Sequence, residues 1–185
     1  DLLEKLKPRL PNTDLYRWIE QFKALPPSER AQRTSGLLSA LSHFASGKNS
    51  ILFDTEEPGI ELTKVMRENQ IVYFQLPVLL SPFLGKATGK LVLQSFQNAI
   101  ANRHKSNRKK KFFSLFMDDF SEYLYPGFVS ILNKSRSANV GVVFAHQALG
   151  DIESMGDSIA NSILTNTNIK IAMRGNDPDT SEYFA

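Results

Sequence analysis

"KFFSLFMDDF", residues 111–120, is a run of bulky apolar side chains that ends in two adjacent carboxylates, Asp118 and Asp119. A short apolar run bounded by polar residues has the pattern of a buried strand. Similar runs stand at 51–54 ("ILFD"), 71–77 ("IVYFQLP"), 140–147 ("VGVVFAHQ") and 168–175 ("NIKIAMRG"). Helical patterns separate them: a turn and helix in "EEPGIELTKVMREN", a long helix in "GKATGKLVLQSFQNAIANRHK", a helix in "PGFVSILNKSRSA", and a mostly helical "DIESMGDSIANSILTNT". Apolar runs with little alternation, interleaved with helices, are the signature of a parallel sheet covered on both faces. The expected class is therefore α/β over residues 49–185.

The first 48 residues have a different period. In "NTDLYRWIEQFKAL", Thr13 or Asp14 can cap a helix, and Leu15, Trp18, Ile19 and Phe22 recur at helical spacing. "ALPPSER" is a break, and Leu37, Leu38, Leu41 and Phe44 line the next helix. Residues 1–48 read as part of an all-helical domain.

Composition narrows the function classes. There is no cysteine, which excludes disulfides and thiolate metal sites. His43, His104 and His146 are too far apart for ligand spacing, so no structural zinc is expected. No stretch approaches the roughly 18 to 20 consecutive apolar residues of a membrane span. The first residues, DLLEKLKPRL, do not resemble a signal peptide. An opening within a helical pattern and an ending at "SEYFA" suggest a fragment of a longer protein. The net charge of +3 hides an uneven distribution. "ANRHKSNRKKK", 101–111, holds six Lys/Arg and no acid, whereas the rest holds 16 basic and 19 acidic residues. The six are Arg103, Lys105, Arg108, Lys109, Lys110 and Lys111. Such a run is either a solvated loop or a contact for nucleic acid or acidic lipid.

Ligands of parallel α/β sheets bind at the carboxyl ends of the strands. Here those ends carry Asp118 and Asp119, then Gln147, then Arg174. An apolar strand followed by two acids is the Walker B pattern of P-loop ATPases. The first acid helps hold Mg²⁺ and the second orients the attacking water. Gln147 is placed to sense a γ-phosphate or position water. Arg136, eleven residues earlier, is either a finger that stabilises transferring phosphate charge or a surface arginine at a helix C-terminus. "GKATGKL", 85–91, is a decoy: its glycines are one residue too close for a phosphate loop, and Leu91 replaces the hydroxyl that binds Mg²⁺.

In order, "FFSLFMDDF", "ILNKSRSANVGVVFAHQALGDI" and "ILTNTNIKIAMRGNDPDTSEYFA" resemble the TraD/TraG-type coupling proteins of conjugation and type IV secretion. The resemblance extends over about 75 residues, and "NQIVYFQLP" with the helices before it fits the same layout. It implies a partial RecA-like P-loop NTPase sheet in 49–185, holding the Walker B half without Walker A, after part of an inserted all-α domain in 1–48. It implies a membrane-anchored ring hexamer at the cytoplasmic face of the bacterial inner membrane, driven by ATP with Mg²⁺. Implied partners are single- or double-stranded DNA, relaxosome or secreted protein substrates, and the type IV secretion channel. The membrane segment and phosphate loop would lie upstream of residue 1. By position, Asp118 looks like the Mg²⁺ acid, Asp119 the catalytic acid where the family usually has Glu, Arg136 the arginine finger and Gln147 the link to movement. Gln147 and Arg174 would also face the nucleotide. An FtsK- or HerA-like translocase, or a catalytically inactive adaptor of the same fold, is the alternative.

Overall fold

The computed structural model describes residues 14–53, 55–57, 59–106, 109–174 and 176–185. The chain divides into two compact units, Asp1–Glu57 and Pro58–Ala185.

In the first unit, α1 (Asp14–Ala24) and α2 (Pro27–Ala45) are followed by a 3₁₀ turn at Gly47–Asn49 and a short α3 (Ser50–Phe53). Pro27 opens α2 with its ring-fixed φ, and Glu29 pairs with Arg33 one turn on at 2.6 Å. Phe44 meets Phe53 edge-on at 4.9 Å. None of the three helices buries a residue, and Trp18 is 69% exposed.

The second unit holds the core. Its elements are α4 (Leu62–Glu68), α5 (Pro82–Lys105), β1 (Phe113–Met117), α6 (Phe128–Ser135), β2 (Val140–Phe144), α7 (Leu149–Glu153), α8 (Asp157–Asn166) and α9 (Pro178–Phe184). Strands β1 and β2 pair in parallel, Phe113 opposite Val140 through Met117 opposite Phe144. One face of this pair packs on helices. Phe120 and Phe128 are fully buried, their rings 4.4 Å apart, and Phe144 lies 4.8 Å from Phe120. Phe96 of α5 meets Phe113 at 6.0 Å, and Ile131, Ile152 and Ile163 complete the interior. The opposite face leaves Phe116 and Val143 exposed.

This architecture corrects the expected partial RecA-like P-loop NTPase sheet. Among the described residues the regular structure of the second unit is helical apart from one two-stranded parallel pair. "ILF", read as a strand, is α3. Residues 71–77 and 168–174 carry no strand pairing among the described residues. The first run still alternates: Val72, Phe74 and Leu76 pack on the core while Ile71 is 99% exposed. Apolar period-2 spacing selects extended backbone and an inward face, but a strand also needs a partner edge for its N–H and C=O groups. In 168–174, Ile169, Ile171 and Met173 are all exposed, so this run lacks even the inward face.

Candidate functional site

A parallel pair brings the sequels of its strands to the same end. The ladder continues past β1 and β2: the Ala145 amide donates to the Met117 carbonyl at 2.9 Å, and the Phe120 amide to the Ala145 carbonyl at 3.0 Å. Asp118 and Asp119 therefore stand beside His146 and Gln147. Asp118, Asp119 and Gln147 are exposed.

The acid pair is held by its turn. Asp119 adopts φ +46°, in the left-handed region, where Asp is tolerated better than most residues. Its amide donates to the Asp118 carboxylate at 3.1 Å. The Tyr123 hydroxyl donates to the Asp118 backbone carbonyl. Burial, then the charges of Asp118 and Asp119, push the Tyr123 phenol up to about 12. Lys86 of α5 pairs with Glu122 at 2.8 Å beside this turn. The role of Tyr123 was not legible in the sequence, where it stands only as an apolar residue five positions after Asp118. Its position depends on Gly89, where an added Cβ would come within 2.7 Å of the Tyr123 Cβ. Gly85 is likewise pressed on the Val78 backbone, at 2.9 Å. The glycines of the decoy segment 85–91 thus serve close packing of α5.

Arg136 lies elsewhere. It begins a 3₁₀ turn, Arg136–Ala138, that leads into β2, and the Phe113 amide donates to the Asn139 carbonyl at 3.1 Å. It stands at the opposite end of the strand pair from the acids, roughly 16 Å away for five residues at about 3.3 Å each. Arg174 is exposed on the unpaired run and is not tied to the strand ends by a described hydrogen bond.

The basic segment meets that same far end. Lys110 reaches the Ser137 carbonyl at 3.4 Å, the Asn139 side chain donates to the Lys110 carbonyl at 2.9 Å, and Ser137 Oγ lies 3.0 Å from His104 Nδ1. Arg103 is a clamp: it donates to the Met66 carbonyl at 3.2 Å and to the Lys111 carbonyl. Burial lowers its pKa. Lys105, Lys109 and Lys111 are exposed, and Arg108 lies outside the described residues. Arg136 and these lysines thus share one end, and the acids and Gln147 the other.

The described residues do not by themselves fit a Mg²⁺-nucleotide. Two carboxylates are adjacent, but no group of three His, Asp or Glu able to hold a metal occurs among the described residues. Residues 85–91 are helical and tightly packed, with no loop of free amides to cradle phosphate. Among the described residues no helix is long and apolar enough to cross a membrane.

No curated protein and no solved structure matches the chain. Residues 113–185, from β1 through α9, match the family model described as the TraM recognition site of TraD and TraG. The segment read as the Walker B half of a nucleotide-binding sheet is thus matched as a recognition domain. By this match residues 113–185 belong to the TraD/TraG-type coupling proteins of conjugation and type IV secretion.

Proposed function

We propose that residues 113–185 form a partner-recognition surface of the coupling protein, and that the partner is a TraM-type protein. The observation that carries this reading is the match of the whole stretch from β1 to α9 to a TraM recognition site. Supporting it, this stretch presents exposed side chains to a partner: Asp118, Asp119 and Gln147 at one end, and Phe116 and Val143 on the bare face of the strand pair. Exposed polar residues next to a few exposed apolar ones suit protein recognition. The whole protein, in this reading, delivers DNA, relaxosome or secreted protein substrates to a type IV secretion channel. It works as a ring hexamer at the cytoplasmic face of the bacterial inner membrane and uses ATP with Mg²⁺. Phosphate binding would be supplied from outside these 185 residues, with Asp118 and Asp119 contributing acids beside Gln147.

Amide hydrogen exchange on the chain, with and without the TraM protein of the same transfer system, tests the recognition reading. New protection within 113–185 is expected; protection confined to 14–57, or none at saturating TraM, would contradict it. For the catalytic part, Asp119→Asn in the full coupling protein is expected to abolish ATP turnover, and unchanged turnover removes Asp119 from that role.

A further inference from the structure

The start of α7 lacks a side chain that its geometry calls for. Ala148 holds the N-cap position with extended backbone, φ −141° and ψ 154°, as a capping residue does. Alanine has no oxygen to offer the first amides of the helix. Asp151, at the third helical position, reaches back to the Ala148 amide at 3.1 Å, which is half of a capping box. The next amide is satisfied from far along the chain: Leu149 N–H donates to Thr180 Oγ1 at 3.0 Å. Leu149 is buried, so losing this acceptor would leave its amide without a partner.

Thr180 is itself held in one orientation. Asp177, the N-cap of α9, accepts the Thr180 amide at 2.9 Å and also the Thr180 hydroxyl proton. With its proton committed to Asp177, the hydroxyl has a lone pair left for Leu149. On the other side of Leu149, the Ala148 carbonyl accepts His146 Nδ1–H at 2.9 Å and the Asp151 amide at 3.2 Å. A continuous set of hydrogen bonds therefore runs from Asp177 through Thr180 and Leu149 to the loop that carries His146 and Gln147. α7 is anchored in the core by Ile152, whereas α9 buries no residue. Among the described residues, the Thr180–Leu149 bond ties α9 to the rest of the unit.

We propose that Thr180 is a positioning residue for the strand-end loop 145–148, so that docking of α9 and placement of His146 and Gln147 are one linked event. Linkage of this kind is reciprocal: whatever fixes the loop favours docked α9, and whatever draws α9 away loosens the loop. The linkage follows from the hydrogen-bond geometry; only its consequence for partner binding or turnover rests on the function proposed above. The "DPDT" segment, 177–180, acquires a physical role that its spacing did not reveal.

Native-state amide exchange on the 185-residue chain tests this. Thr180→Val keeps the shape and removes the hydroxyl. It is expected to speed exchange of Leu149 and of residues 146–151 tenfold or more, with α5 and α6 amides unchanged. Thr180→Ser should restore the original rates. In the unmutated chain, Leu149 is expected to open together with the α9 amides, at lower denaturant than the α5 and α6 core; this arm holds even if Thr180→Val fails to fold. Unchanged Leu149 exchange in Thr180→Val, no rescue by Thr180→Ser, or Leu149 opening only with the core in the unmutated chain would each overturn the proposal. Failure of TraM binding with this exchange pattern intact would count against the function and leave the linkage standing.

Discussion

At Gly89 there is no room for a methyl group. An added Cβ meets the Tyr123 Cβ at 2.7 Å and Leu76 Cδ1 at 3.1 Å, and Tyr123 is buried against the turn that carries Asp118 and Asp119. Gly89→Ala is expected to destabilise the chain by about 1–3 kcal/mol through overpacking. Gly36, in α2, has nothing within 4 Å, so Gly36→Ala should stabilise its helix by about 0.5–1 kcal/mol. Denaturant unfolding of both variants checks the opposite signs. Tyr123 supplies a pH test. Its phenol is held neutral to about 12, so its contribution to stability is complete below the ordinary tyrosine value of 10.0 and is lost as pH rises through about 12. An absorbance titration of tyrosinate should show a late step that Tyr123→Phe removes. The place of the two acids just after a strand was legible in sequence, because the apolar run stops at them. Tyr123 and Gly89 were not, because their roles exist only once α5 lies across the turn. The left-handed backbone at Asp119 also bears on the acid found there. A short side chain suits that conformation better than the longer Glu usual in the resembled family.

Among the elements, helices were read well because their period is set within one segment. The long apolar pattern after residue 85 is α5, and Pro126 lies just ahead of α6. The strands β1 and β2 were also legible as apolar runs. Residues 71–77 and 168–174 have similar composition yet lie unpaired, since composition encodes an extended shape and not the neighbour that completes a ladder. Four residues at 51–54 were too few to separate strand from helix by period. The missing cap of α7 gives an element-level prediction. Ala148 already has cap-like backbone angles, so Ala148→Ser is expected to add about 0.5–2 kcal/mol of stability. Thermal unfolding of the variant measures it, and a fall in stability would mean that the start of α7 is misassigned.

On the scale of the molecule, charge is segregated within the second unit. The acids and Gln147 occupy one end of the strand pair; Arg136 and the basic segment occupy the other. In the sequence Arg136 was grouped with the acids and Gln147 as one site, and the basic segment was read apart from it; Arg136 precedes its strand whereas the acids and Gln147 follow theirs, so a parallel pairing puts them at opposite ends. If the basic end meets DNA, the contact is electrostatic and indifferent to sequence. Changing exposed Lys105, Lys109 and Lys111 to Ser should weaken DNA binding and flatten its log-salt slope by about 2 to 3 units. Unchanged affinity and slope would make this a solvated segment.

In the proposed function this chain recognises a protein partner and does not by itself bind nucleotide. Isothermal titration of the 185-residue chain with TraM and, in parallel, with Mg-ATP compares the two directly. Saturable TraM binding is expected, with no Mg-ATP binding at micromolar concentrations. Micromolar Mg-ATP binding without any TraM binding would contradict the account.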